Sequence, residues 1–140
     1  IFVGSGPDLK KCKIFVQKNN LNNLIEFQKE VSHKKLNDFY NKLDLFVLPS
    51  YYEALGCVYL EALQVGKPII GIKNQAIEEL IKEQDKENFL IDKSNYKQLA
   101  NLITYHYKNR YHENYNYDFN IENFISKFLT KIWEVKNETL

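Results

Sequence analysis

Residues 49–68 read PSYYEALGCVYLEALQVGKP, and this stretch decides the fold of the 140-residue chain. The segment DLFVLP, residues 44–49, carries a continuous apolar run that is stopped by proline, which is typical of a buried strand in a parallel sheet. Gly56 comes directly before a helical pattern over residues 57–64, and Gly66 and Pro68 end that pattern ahead of a second apolar run at 69–72. Strand, loop, helix and strand in this order predict a right-handed βαβ unit.

The rest of the chain continues this alternation. Further strands are predicted at residues 1–3, 24–27 and 89–91, and further helices at 8–19, 33–43, 78–82, 96–108 and 121–135. Ser32 is the predicted N-cap of the helix over 33–43. The fold class is therefore α/β, with a Rossmann-like parallel sheet and helices on both faces. Sheets of this kind bind ligands at the carboxyl ends of their strands.

Composition limits the classes of function. The formal net charge is only +1, which gives no general attraction to nucleic acid or to acidic membranes. Two cysteines are too few for a disulfide framework, and no apolar run approaches the ~20 residues of a membrane span. We expect one soluble, cytoplasmic domain over residues 1–140. The start at Ile1 and the absence of methionine predict a piece of a longer protein.

Two glutamates flank the start of the helix at 57–64. Glu53 lies in the loop after the strand, and Glu61 lies about one turn inside the helix. The amides of Gly56, Cys57 and Val58 would carry the partial positive charge of a helix start, which suits a phosphate, and the missing Cβ of Gly56 lets a ligand approach the backbone. One carboxylate would accept hydrogen bonds from sugar hydroxyls and the other from a ribose diol. The alternative is that both are ordinary surface carboxylates.

Other candidate groups carry weaker signals. His33 follows the predicted N-cap and is interpreted as a solvated residue, while His106 and His112 have no carboxylate at metal-ligand spacing, so no metal site is predicted. Cys57 has no histidine near it in sequence and is not predicted to be a nucleophile. Five tyrosines in residues 105–117 resemble a single-stranded nucleic-acid surface, but packing of a terminal loop is the preferred interpretation because the charge is balanced. The GSGP turn at residues 4–7 is a weak nucleotide signal.

The segment PSYYEALGCVYLEALQVGKPIIG, with its E-x7-E spacing, resembles the signature of the retaining GT-B glycosyltransferases of group 1. It is most similar to members that build bacterial capsular and other surface polysaccharides. The resemblance extends to residues 4–7, 31–40 and 68–81, about the first two-thirds of the chain. It implies that the chain is the donor-binding half of a GT-B enzyme, without that half's first strand–helix unit and without the acceptor-binding domain.

The resemblance also implies a role for individual residues. Glu53 matches the first glutamate, which contacts the donor sugar and is the candidate catalytic residue. Leu55, Gly56 and Cys57 match the loop whose amides meet the sugar and diphosphate. Glu61 matches the glutamate that binds the nucleotide ribose, and Val31 falls where the main chain reads the nucleobase.

The chain departs from the family pattern where glycines are usual, at Lys29, Asn74, Ala76 and Phe89. The arginine and lysine that neutralise the diphosphate in the family precede the first residue of this chain.

The implied function is retaining transfer of a hexosyl group from a nucleotide-diphosphate sugar to a surface polysaccharide or lipid-linked glycan. The enzyme would need no metal and no other cofactor. It would work in the cytoplasm, at the inner face of the membrane, and the fragment alone would be inactive. The alternative function is a non-catalytic Rossmann-like nucleotide-binding or assembly module.

Overall fold

A computed structural model describes residues 1–54 and 56–109 of the chain. The chain is α/β, and the strand pairings are parallel with helices between the strands. The chain has two compact units, a first unit, Ile1–Phe39, and a second unit that begins at Tyr40. Among the described residues, the parallel pairings form two sheets, one in each unit. The assignment of residues 1–140 to one domain stays a prediction.

The first unit is one parallel strand pair with its connecting helix. Strand β1 (Phe2–Val3) pairs with β2 (Phe27–Gln28), and helix α1 (Leu9–Lys18) lies between them in sequence. The rings of Phe2 and Phe27 stack with centroids 5.6 Å apart. A 3-10 helix, His33–Lys35, follows β2.

The prediction that β2 occupies residues 24–27 was wrong in its position. The amides of Leu24 and Ile25 both donate to the carbonyl of Leu21, which closes a turn where the strand was expected. Leu24 is consequently exposed, and β2 begins three residues later at Phe27.

The second unit is built on a three-stranded parallel sheet in the order β3-β4-β5. Its elements in chain order are α2 (Leu36–Asn41), whose first residues belong to the first unit, β3 (Phe46–Val47), α3 (Cys57–Gln64), β4 (Ile69–Ile72), 3-10 helices Ala76–Leu80 and Glu83–Asp85, α4 (Lys86–Phe89), β5 (Leu90–Ile91) and α5 (Tyr96–Asn109). All four residues of β4 are buried, as expected of a central strand.

The core of the second unit lies between this sheet and its helices. Ile70 and Ile72 of β4 pack with Ile91 of β5 and Leu102 of α5. From α3, the buried side chains are Tyr59, Ala62 and Leu63, which share one face of the helix. The loop before α3 and the start of this helix follow the carboxyl end of β3, and the opposite face of α3 is not packed in this core.

Two helix predictions and one strand prediction differ from the structure in detail. The helix predicted over 33–43 begins as a 3-10 turn and becomes α2 at Leu36, and the Ser32 side chain makes no capping hydrogen bond. Residues 76–80 form a 3-10 helix, in which the Glu78 carboxylate accepts the amide of Asn74. Phe89 ends α4 and does not open β5. The helix predicted over 121–135 lies outside the described residues.

Candidate functional site

The loop that carries Glu53 leaves the carboxyl end of β3. Backbone bonds from Phe46 to Pro68 and from Leu48 to Ile70 hold this strand against β4 up to the residue before Pro49. Residues that follow parallel strands meet at one edge of the sheet, so Glu53 lies at the edge where α/β proteins bind ligands. Its side chain is half-buried.

Gly56 is required by the packing around it. Its φ of +64° is in the left-handed region, and a Cβ there would come within 2.5 Å of Cδ2 of Tyr59 and 2.8 Å of Cγ of Glu53. Such contacts are too short for real Cβ atoms, so the glycine admits the ring on one side and the carboxylate stem on the other. The approach of a ligand, expected from the sequence, is therefore not the only reason for a glycine here, because packing within the protein also requires one.

Tyr59 is the fully buried support beneath this loop. Its hydroxyl donates to the carbonyl of Leu48, and its ring meets Phe46 edge-on with centroids 5.8 Å apart. Burial raises the pKa of Tyr59 well above its usual range, and the charge of Glu53 raises it further. The phenol therefore stays protonated beside the carboxylate.

Glu61 lies on α3 four residues after Cys57, so the two side chains are neighbours on the helix surface. Cys57 is exposed and Glu61 is half-buried, while the buried face of the helix is on the other side. One oxygen of Glu61, Oε2, accepts a hydrogen bond of 2.8 Å from the hydroxyl of Tyr40. Glu53 and Glu61 therefore border the first turn of α3 from its two ends.

The first turn of α3 has the properties of an anion site. The amide of Tyr59 donates to the carbonyl of Gly56, whereas the amides before it have no partner within the helix. Aligned peptide dipoles add partial positive charge at this end. Val58 is half-buried in the same turn. Leu55, the remaining predicted donor-loop residue, lies outside the described residues.

Residues after the neighbouring strands hold the loop in place through contacts that have no signature in the sequence. Gln75 Nε2, after β4, donates to the carbonyls of Ser50 at 2.9 Å and Tyr51 at 3.3 Å. After β5, the Lys93 ammonium lies 4.0 Å from the ring centroid of Tyr51 and 4.7 Å from that of Tyr52. The loop before Glu53 is thus connected to the carboxyl ends of both other strands of its sheet.

Two of the departures from the family pattern have a structural description. Asn74 adopts a φ of +61°, a left-handed conformation that asparagine tolerates better than most other residues, so the backbone shape that a glycine would allow is kept. Lys29 borders a cleft of about 500 Å³ in the first unit, beside Gly4 and Phe27. Val31, the predicted base-binding residue, is half-exposed and follows Glu30, which also borders this cleft.

The histidines have structural environments. His33 is exposed in its 3-10 helix, as expected of a solvated residue. His106 is buried on α5, where Nε2 lies 2.8 Å from the carbonyl of Asn88, and burial lowers its pKa. His112 and most of the predicted tyrosine-rich loop are outside the described residues.

Metal-binding clusters and membrane-spanning helices are both absent from the described residues. Within residues 1–54 and 56–109, no group of three His, Cys, Asp or Glu side chains is placed to hold a metal ion. In the same part of the chain, no helix has the length and apolar character needed to cross a membrane.

Comparison with known proteins identifies the family. Residues 1–121 match the family described as glycosyl transferases group 1. The chain belongs to this family.

Individual relatives agree with that assignment. A lipopolysaccharide core biosynthesis mannosyltransferase of Rhizobium meliloti is 36% identical over 90 residues, which is 62% of this chain and 25% of that protein. An O-antigen biosynthesis glycosyltransferase of Escherichia coli is 31% identical over 106 residues, 69% of this chain and 29% of that protein. The chain thus spans about a quarter of the length of these relatives.

The fold of this group 1 glycosyltransferase chain is also found among solved structures. The sucrose-phosphate synthase of Thermosynechococcus elongatus aligns with 99% of this chain and 38% of its own, with a TM-score of 0.72 and 23% identity. The likeness is one of fold, and it agrees with the α/β class predicted from the sequence.

Proposed function

We propose that this chain is the donor-binding half of a GT-B glycosyltransferase that moves a sugar from a nucleoside diphosphate to a bacterial surface polysaccharide or lipid-linked glycan. The observation that carries the proposal is the arrangement around α3. Glu53 packs against Gly56 at the helix start, and Glu61 lies one turn further, next to Cys57 on the same surface. The lipopolysaccharide and O-antigen relatives support this class of acceptor.

The chemical problem in such a transfer is charge development. The C1 atom of the donor sugar becomes cation-like as the bond to the diphosphate breaks, and the leaving diphosphate gains negative charge. Amides aimed at the site where charge develops stabilise the transition state without reorganising during the reaction. In the proposal, the amides of Gly56, Cys57 and Val58 receive the diphosphate, and Leu55 contributes its backbone beside them.

The two carboxylates would then have separate tasks. Glu53, at the end of the loop, contacts the hydroxyls of the donor sugar and sets the orientation of C1. Glu61 accepts hydrogen bonds from the hydroxyls of the nucleotide ribose, and the main chain at Val31 contacts the base. We propose retention of the anomeric configuration and a hexosyl group as the cargo. The acceptor would be bound by parts of the parent protein outside this chain.

Helix amides and basic side chains of the parent protein would neutralise the leaving group, without a divalent ion or other cofactor. The reaction would take place in the cytoplasm, at the inner face of the membrane. This chain by itself would bind the donor nucleotide without transferring sugar.

The decisive experiment screens UDP, GDP, ADP and CDP against the full-length protein by ligand-detected NMR, followed by donor turnover with and without a chelator. We expect one nucleoside diphosphate to bind in preference to the others and acceptor-dependent release of that diphosphate that survives the chelator. Binding without turnover of the corresponding donors would favour the alternative, a non-catalytic nucleotide-binding module. No binding at all would overturn both.

A further inference from the structure

Tyr40, on α2, contacts the candidate ribose-binding residue Glu61 on α3. It lies near the end of α2 and is 4% exposed, yet its hydroxyl donates to Oε2 of Glu61 at 2.8 Å. The two residues are 21 positions apart in sequence, and the bond crosses from one helix to the next. A buried hydroxyl needs a hydrogen-bond partner, but a backbone carbonyl would serve as well as the Glu61 carboxylate.

Tyr59 provides the comparison. It is also a buried tyrosine next to Phe46, and its hydroxyl is satisfied by a backbone carbonyl, that of Leu48. Tyr40 meets the same Phe46 edge-on, with centroids 5.7 Å apart, but its hydroxyl goes to a half-exposed carboxylate. The three rings form one packed row, so the position of the Tyr40 hydroxyl is set by the core and not by a mobile surface side chain.

The contact also persists over the range of pH in which enzymes work. Burial raises the pKa of the Tyr40 phenol, and the hydrogen bond to Glu61 and the charge of Glu61 raise it further. The phenol therefore remains a donor at neutral and moderately alkaline pH. A carboxylate oxygen that accepts one hydrogen bond keeps a second lone pair, and Oε1 keeps two.

We infer that Tyr40 is a positioning residue for the nucleotide ribose: it fixes the Glu61 carboxylate so that the remaining acceptor sites meet the ribose hydroxyls. This role rests on the proposed function, which assigns the ribose to Glu61. A glutamate alone on a helix surface would lose rotamer freedom when the ligand binds. Here that loss occurs when the protein folds, so less of the binding free energy is spent on ordering.

The test compares a ligand with its analogue in the full-length protein. Calorimetry measures the affinities of the preferred nucleoside diphosphate and of its 2′,3′-dideoxy form, which lacks the hydroxyls that Glu61 would accept. We expect the wild type to prefer the ribose form at least tenfold. In Tyr40→Phe, which keeps the ring and removes only the hydroxyl, this preference should fall about fivefold or more while the dideoxy form binds as in the wild type.

Tyr59→Phe is the matched control, because it also removes one buried tyrosine hydroxyl that makes a hydrogen bond. It should lower the melting temperature but keep the preference for the ribose form. A second variant, Glu61→Gln, should abolish most of the preference, and adding Tyr40→Phe to it should change little further, since both act through one carboxylate.

The outcomes separate the two claims. If the wild type binds nucleoside diphosphate and Tyr40→Phe keeps the full preference for ribose, the tyrosine is structural only and the proposed function is untouched. If the wild type binds no nucleoside diphosphate, or does not distinguish the dideoxy form, the assignment of Glu61 fails and the role of Tyr40 fails with it.

Discussion

Glu53 packs against the bare Cα of Gly56, with its Cγ 2.8 Å from the point that a Cβ on residue 56 would occupy. Tyr59 closes the same space from the other side. The position of the candidate catalytic carboxylate is therefore linked to the absence of a single methyl group, and this can be tested.

Gly56→Ala should lower both stability and turnover. The left-handed φ costs an alanine about 1 kcal/mol, and the overlap with Tyr59 and Glu53 should add about 1–3 kcal/mol. Gly66→Ala is the control, because Gly66 has a φ of +72° but open space where the Cβ would be. Urea unfolding should show the larger loss for Gly56→Ala, and only this variant should reduce kcat. Equal losses of stability would mean that the packing around Gly56 relaxes freely.

The two glutamates should respond differently to the same substitution. Glu61→Gln should weaken the binding of the nucleoside diphosphate at least tenfold, since each charge-assisted hydrogen bond is worth about 1.5–3 kcal/mol. Glu53→Gln should reduce turnover more than nucleoside diphosphate affinity, because its partner is the sugar. Calorimetry with the diphosphate and with the intact donor separates the two roles in the full-length protein. Unchanged diphosphate affinity in Glu61→Gln would return both residues to the class of surface carboxylates.

The sequence predicted the elements whose signal is local and strong. The buried strand at Ile69–Ile72 has its predicted bounds, because its four residues are apolar and are flanked by a proline before and a polar segment after. The strand expected at 24–27 begins later because the amides of residues 24 and 25 donate to the Leu21 carbonyl in a turn and not to a neighbouring strand. A short apolar run does not distinguish a strand from a turn, since both satisfy the hydrogen bonds of the same backbone amides.

The candidate site was predicted in its E-x7-E spacing and in the helix start between the two glutamates. Its supports were not predicted. The bond from Tyr40 to Glu61 spans 21 residues, and the bond from Gln75 to Ser50 spans 25, so neither has a periodic signature. Only the position of Tyr40 relative to α3 in the folded second unit determines where its hydroxyl goes.

Cys57 provides a direct probe of the first turn of α3. It is exposed, as is Cys12 on α1, and both are free thiols. If the amides of this turn bind the diphosphate, a saturating nucleoside diphosphate should slow alkylation of Cys57 by iodoacetamide several-fold and leave Cys12 unaffected. Mass spectrometry of the two peptides from one sample measures both rates. Equal rates at Cys57 with and without ligand would place the diphosphate elsewhere.

The buried tyrosines predict a loss of stability in alkali. The pKa values of Tyr40 and Tyr59 are raised in the folded state, whereas the pKa of an unfolded tyrosine is about 10. Above that pH the unfolded chain releases protons that the folded chain keeps, so the free energy of unfolding falls by about 1.4 kcal/mol per pH unit for each residue. Below a pH of about 10 both states keep these protons, so the two tyrosines do not lower the free energy of unfolding.

Unfolding in urea at several pH values between 9 and 11 tests this sign. The double variant Tyr40→Phe, Tyr59→Phe should have a shallower dependence on pH than the wild type, although it is less stable at pH 7. Parallel curves for the two proteins would contradict the raised pKa values.

Gln75 offers a test of whether the loop must be held for turnover. Its amide nitrogen donates to the carbonyls of Ser50 and Tyr51, and Glu53 follows two residues later. Gln75→Ala removes both bonds, which should cost about 1 kcal/mol of stability. It should reduce kcat about tenfold, because a small displacement of a positioning carboxylate is costly in rate. Nucleoside diphosphate affinity should stay within about twofold, because Glu61 and the first turn of α3 are held by other contacts.

Asn19→Ala is the matched control for Gln75→Ala: it removes an amide-to-carbonyl bond of 2.8 Å, from Asn19 to Phe15, in the first unit. This control should lower stability to a similar degree and leave kcat unchanged. If the two variants reduce kcat equally, the effect of Gln75 is one of general stability, and Glu53 keeps its place without the loop contacts.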